Sequence, residues 1–197
     1  MKLWIVAIGA LAATAFAAPA LAQIPTMGGN MTGQAYQAEG RENFRQAEIR
    51  ESLRRRARED FLTARSAYDH GDWGMARKLL LPMAEQDSPA AQYLLGAMEA
   101  RGQGGPRNKA AALSWFRKAA GQGFPQGEFS LGLAYLTGDG VAADDREGAR
   151  WLRRAADHGL PQAQFNLAVL YENGQGVTRD TAQATAWYRR AAAGGVR

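Results

Sequence analysis

The 197-residue chain contains no cysteine. Disulfide frameworks, thiolate zinc sites, iron–sulfur clusters and cysteine nucleophiles are therefore excluded. Histidine is almost as scarce: His70 and His158 are the only two, which rules out a three-histidine metal site. The sequence has no Ser-x-x-Lys, no His-Glu-x-x-His, no phosphate loop and no dinucleotide fingerprint. No catalytic residue, metal ligand or cofactor is assigned on this inventory. Function has to be argued from architecture.

Lysine is rare as well, at positions 2, 78, 109 and 118, so arginine supplies the other 20 basic groups behind the net charge of +5. Seven arginines crowd one stretch: Arg41, Arg45, Arg50, Arg54, Arg55, Arg56 and Arg58. Residues 60–197 hold 16 basic and 14 acidic groups and are nearly neutral when simply counted. A nucleic-acid binder shows a basic face on its folded part, so nucleic acid is not expected as a partner.

Residues 1–22 have the form of a secretory signal. Lys2 provides the positive start, Leu3 to Ala17 the apolar run, and Ala20-Leu21-Ala22 the small-x-small cleavage pattern. Cleavage is expected between Ala22 and Gln23, giving an exported, periplasmic or secreted protein. The apolar run before Pro19 is shorter than the ~18 residues a membrane anchor needs. Residues 23–40, rich in Gly, Gln, Thr and Asn, are expected to form a flexible leader. Residues 41–60 read as an Arg-rich helix, with Ile49, Leu53, Ala57 and Phe61 recurring at four-residue spacing. Such a helix could lie on anionic lipid or an acidic partner, but four interspersed acids favour a solvated helix capping the adjoining domain.

From Pro89 onward the chain repeats itself with a period of 36. Trp115, Trp151 and Trp187 are in phase, as are Ala119-Ala120, Ala155-Ala156 and Ala191-Ala192. The pairs Gly102/Gly104, Gly138/Gly140 and Gly174/Gly176 keep the same interval, and so do Pro89, Pro125 and Pro161. Each unit reads as two helices. Proline opens the first and Gly-x-Gly ends it. Asn108, Asp144 or Asp180 caps the second. Asp144 with Glu147, and Asp180 with Gln183, have the spacing of a capping box. The tryptophans are expected to fill the core between helices brought close by the alanine pairs. Asp139, Asp144 and Asp145 share one interhelical loop, where helix capping is preferred over calcium binding.

The stretch from Ala163 through Tyr171, Gly174, Gly176, Asp180 and Trp187 to Gly195 resembles a Sel-one-like repeat, a branch of the tetratricopeptide superfamily. Residues 127–159 match as well. Residues 91–123 depart in having Glu99 for the usual tyrosine, and Phe61 to Asp87 resembles a shortened tetratricopeptide unit. The resemblance implies an all-α, right-handed helix-turn-helix solenoid of about four repeats over residues 61–197. It also implies a concave groove lined by the first helices, here at Tyr93, Ala97, Arg101, Phe129, Leu133, Thr137, Phe165, Val169 and Asn173. An aromatic row there would capture a peptide or partner helix by its apolar anchors, or would pack between neighbouring first helices. A scaffold, adaptor or regulator of an envelope process is the function implied, with a secreted hydrolase (β-lactamase-like or cell-wall-acting) as the alternative. Weak self-association through the C-terminal repeat is a further expectation.

Overall fold

The computed structural model describes residues 33–196. The expected signal segment, its expected cleavage point and residues 23–32 of the expected leader lie outside the described residues. Eight helices succeed one another: α1 (Gly33–Asp69), α2 (Trp73–Glu85), α3 (Pro89–Arg101), α4 (Lys109–Gly121), α5 (Pro125–Thr137), α6 (Asp145–Asp157), α7 (Pro161–Asn173) and α8 (Thr181–Ala193). No strand occurs among the described residues. The chain divides into two units, Met1–Ala47 and Glu48–Arg197, and the packed helices belong to the second. No helix among the described residues is long and apolar enough to cross a membrane.

Residues 33–40, expected to be a leader, are helical, and the Arg-rich segment is not a separate element but the middle of α1. Alanine, glutamine and glutamate in this stretch extend a helix that is already nucleated downstream, which costs far less than starting one.

The repeat chemistry explains the other helices. Pro89, Pro125 and Pro161 occupy the first turn of α3, α5 and α7, where a missing N–H is harmless. Gly102, Gly138 and Gly174 end those helices in the left-handed conformation. Asp72, Asn108, Asp144 and Asp180 accept amide hydrogen bonds at the start of α2, α4, α6 and α8. The capping boxes are only half made. The backbone N–H of Asp144 and of Asp180 donates to Tyr135 O and Tyr171 O, each at 2.9 Å, across the repeat. That leaves no amide for a reciprocal bond, and Glu147 instead accepts from Arg150.

Repeats are joined at the second glycine of each Gly-x-Gly. Gly104, Gly140 and Gly176 have positive φ and lie against Trp73, Lys109 and Asp145, the first residues of α2, α4 and α6. A Cβ on Gly176 would collide with the Asp145 carbonyl. The same contact at Trp73 makes α2 the second helix of a shortened leading unit. Ala64 of α1 and Ala76 and Leu80 of α2 share a buried cluster with Leu95 and Met98 of α3.

Leu95, Leu131 and Leu167, one per repeat, are essentially inaccessible, and each buried side chain contributes about 2 kcal/mol. The tryptophans are less central than expected. Trp187 is buried, whereas Trp115 and Trp151 are only half-buried. Each instead carries a cation above its ring: Lys118 at 4.4 Å, Arg154 at 4.7 Å and Arg190 at 4.4 Å from the centroid.

Candidate functional site: the first-helix surface

The nine expected groove residues divide into four groups. Tyr93, Ala97 and Phe129 are taken up by packing. Tyr93 sits against the rings of Phe116 and Phe124, at centroid distances of 6.0 and 5.8 Å. Ala97 is buried at 5% and is withdrawn from any groove. Phe129 packs against two core clusters, one with Ala163 and Leu167 and the other with Leu152 and Leu170. The aromatic row is thus internal packing at its first two steps. The reason lies in register: positions 93, 129 and 165 face 116, 152 and 188 of their own repeat, and the first two are then covered, Tyr93 by Phe124 and the leading cluster and Phe129 by the next repeat.

Phe165 alone keeps an accessible ring. It is 40% exposed and meets Tyr188 edge-on at 5.4 Å. The Tyr188 hydroxyl donates to Glu172 at 2.7 Å. Partial burial first, and then that bond to a carboxylate, push the Tyr188 phenol above its ordinary value. Val169 is half-buried nearby in sequence, and Asn173 is exposed at the end of α7.

Arg101 is exposed but engaged, donating from Nη1 to the Tyr68 hydroxyl at 2.9 Å. Burial raises the Tyr68 phenol above its usual value, and the Arg101 charge partly offsets this.

Leu133 and Thr137 come together at a pocket of 170 Å³ between α3, α4 and α5. Ala112, Leu113, Phe116 and Ala134 form its apolar wall, and Lys109 and Asp139 form its rim. A cavity of about 150 Å³ suffices for a benzene ring, so one large apolar side chain fits. The rim is fixed by an ion pair between Lys109 Nζ and Asp139, with Arg107 at 3.6 Å from the same carboxylate. The hydrogen bond from Lys109 is the main cause holding the Asp139 carboxyl below its usual range. Asp139 therefore serves the rim, and Asp144 serves as a cap. Asp145 accepts from Gln175 at 2.9 Å. Among the described residues no group of three or more His, Asp or Glu is placed to hold a metal.

Sequence reasoning missed a buried charge. Glu128 of α5 is fully inaccessible, with Arg154 Nε at 3.0 Å and His158 Nδ1 at 2.7 Å from its two oxygens. The equivalent positions are glutamines. Gln92 and Gln164 donate to Ala84 O and Ala156 O, both at 3.1 Å. The 36-residue register contained the signal, as an acid in a column of amides. Likewise Glu99, which stands where Tyr135 and Tyr171 stand, is explained by Arg77 of α2 at 2.6 Å. Arg77 itself replaces Leu113 of the next repeat.

The Sel1 repeat profile matches residues 89–124, 125–160 and 161–196, which is more than half of the chain. The chain belongs to the Sel1 repeat family. It is similar to a Sel1 repeat protein from Oxalobacter formigenes, at 34% identity and a TM-score of 0.66, over 69% of this chain and 54% of that one. It is similar also to a protective antigen of uropathogenic Escherichia coli strains displaying an SLR fold. There the identity is 35% and the TM-score 0.66, over 71% of this chain and 31% of the antigen. The chain thus spans about half of the first and under a third of the second. The cysteine rich protein B of Helicobacter pylori shares the fold at 21% identity and a TM-score of 0.52, over 64% of this chain and 90% of that one. Comparison with curated proteins gives no match. Sel1 repeat proteins are generally protein-interaction modules and typically non-enzymatic scaffolds.

Proposed function

We propose that this Sel1 repeat protein is an exported interaction module that holds a partner protein on its first-helix surface. One observation carries the reading: Leu133 and Thr137 open onto an apolar pocket with a charged rim, and Phe165 offers an accessible aromatic one repeat further on. An apolar anchor in the pocket and a second contact on Phe165 would suit a helix or extended segment, with Lys109 and Asp139 orienting its polar groups. Export rests on the sequence pattern of residues 1–22. The binding role makes the protein a scaffold, adaptor or regulator of an envelope process rather than a catalyst.

Affinity capture from an envelope extract, using the full chain beside a Leu133→Lys/Phe165→Lys variant, tests the surface. Both side chains are accessible enough for the variant to stay folded, and it should lose the partner. Equal capture by both proteins refutes the surface. Sequencing the N-terminus of the protein purified from its host tests export, with Gln23 expected as the first residue.

A further inference from the structure

The near-neutrality of residues 60–197 conceals a separation of charge between the two helix layers. The second helices of the three matched repeats, α4, α6 and α8, carry nine basic and three acidic residues. Their first helices, α3, α5 and α7, carry one basic and three acidic residues. The basic groups recur in register as Arg117-Lys118, Arg153-Arg154 and Arg189-Arg190, one dibasic step per repeat.

Four of these six cations lie against aromatic rings. The second member of each pair stacks over the tryptophan three residues before it, and Arg153 lies 5.3 Å from the Tyr171 ring centroid. Stacking restricts the long side chains before any partner arrives, so less rotamer freedom is lost on binding. Arg154 is occupied by Glu128. Among the described residues, no carboxylate forms an ion pair with Arg117, Lys118, Arg153, Arg189 or Arg190.

We propose that the second-helix layer is a docking surface for an acidic polypeptide segment, read as one carboxylate cluster per repeat. Charge complementarity carries the assignment, and the character of the surface narrows the polyanion. None of the large exposed hydrophobic side chains lies on α4, α6 or α8, so nothing there can enter a lipid interface. The tryptophans lie under the cations rather than outside them, so no aromatic platform is presented to nucleobases. Carboxylates suit these arginines, as Arg154 demonstrates with Glu128. This surface is distinct from the first-helix pocket and does not depend on it.

Fluorescence anisotropy of a labelled 20-residue glutamate-rich peptide with the full chain tests the proposal. Binding should weaken steeply with added salt. The variant Arg117→Gln/Lys118→Gln/Arg189→Gln/Arg190→Gln should bind at least tenfold more weakly. The control Arg54→Gln/Arg55→Gln/Arg56→Gln/Arg58→Gln removes the same charge from α1 and should change affinity less than threefold. Circular dichroism checks folding. Should the fourfold variant unfold, Arg117→Gln/Arg189→Gln, which leaves every Trp-stacked cation in place, replaces it, with at least a threefold loss expected. Equal loss in the α1 control overturns the proposal. So does tighter binding, at matched salt, of vesicles rich in anionic phospholipid or of single-stranded DNA.

Discussion

Replacing Glu128 by glutamine should leave stability within about 1 kcal/mol of the parent, although it removes a fully buried carboxylate held by Arg154 and His158. Desolvating a carboxylate costs several kcal/mol, and its partners roughly offset that cost. Arg154 and His158 are about half exposed (side chains 50% and 46%), so both can return to water once the carboxylate is gone. The new amide can copy Gln92 and Gln164 by donating to the carbonyl eight residues earlier, here that of Ala120. Removing both partners has the opposite consequence. Arg154→Gln/His158→Gln strands the carboxylate in the core and should cost about 3 kcal/mol. Adding Glu128→Gln to that double variant should recover most of the loss. Urea unfolding at neutral pH, compared by midpoint at constant slope, reads all three proteins. If Glu128→Gln proves as costly as the double variant, the ionic cluster is a net stabiliser and the reasoning is wrong.

Four further outcomes are expected from the packing. Phe129→Ala should cost about 3 kcal/mol and Phe165→Ala about 1 kcal/mol in urea unfolding, because one ring is inside the repeat stack and the other is partly solvated. Gly176→Ala should cost about 2–3 kcal/mol, combining positive-φ strain with the collision at Asp145, and should lower the thermal midpoint clearly. Glu99→Tyr alone should destabilise by orphaning Arg77, whereas Arg77→Leu/Glu99→Tyr, which installs the pair used by the next repeat, should recover the loss. The Asp139 carboxyl lies below its unfolded value. Its stabilising contribution is therefore present above the ordinary carboxylate range and is lost as pH falls through the folded value. An acid titration of stability should show that loss in the parent and a smaller one in Lys109→Met.

The repeat architecture was legible because punctuation residues recur in register. Proline, the two glycines and the capping aspartates each act through local backbone chemistry, so their spacing translates directly into helix limits. The long α1 was less legible, since helix propagation through residues 33–40 depends on the helix already formed downstream rather than on local composition. The groove is what the family resemblance implies, with its positions placed by the 36-residue register. Periodicity places Tyr93, Phe129 and Phe165 on one face. It cannot tell that neighbouring units cover the first two and leave the third partly open. Leu133 and Thr137, with no special chemistry of their own, line a pocket only because α4 folds against α5 and leaves one beside them. Counting charges over residues 60–197 also hid their distribution. The dibasic pairs were visible at the same 36-residue interval, but only the helix layers show that they share one side of each repeat.

The central claim is that a partner occupies the first-helix surface between the Leu133–Thr137 pocket and Phe165. Its most direct test places a photoreactive benzoylphenylalanine at position 137, 165 or 62 of the full chain in the cells that make it, with irradiation afterwards. Positions 137 and 165 should crosslink to the same discrete protein, and position 62, exposed on α1 and outside both helix-layer surfaces, should not. Crosslinking from position 62 alone, or to unrelated proteins from 137 and 165, would contradict the account.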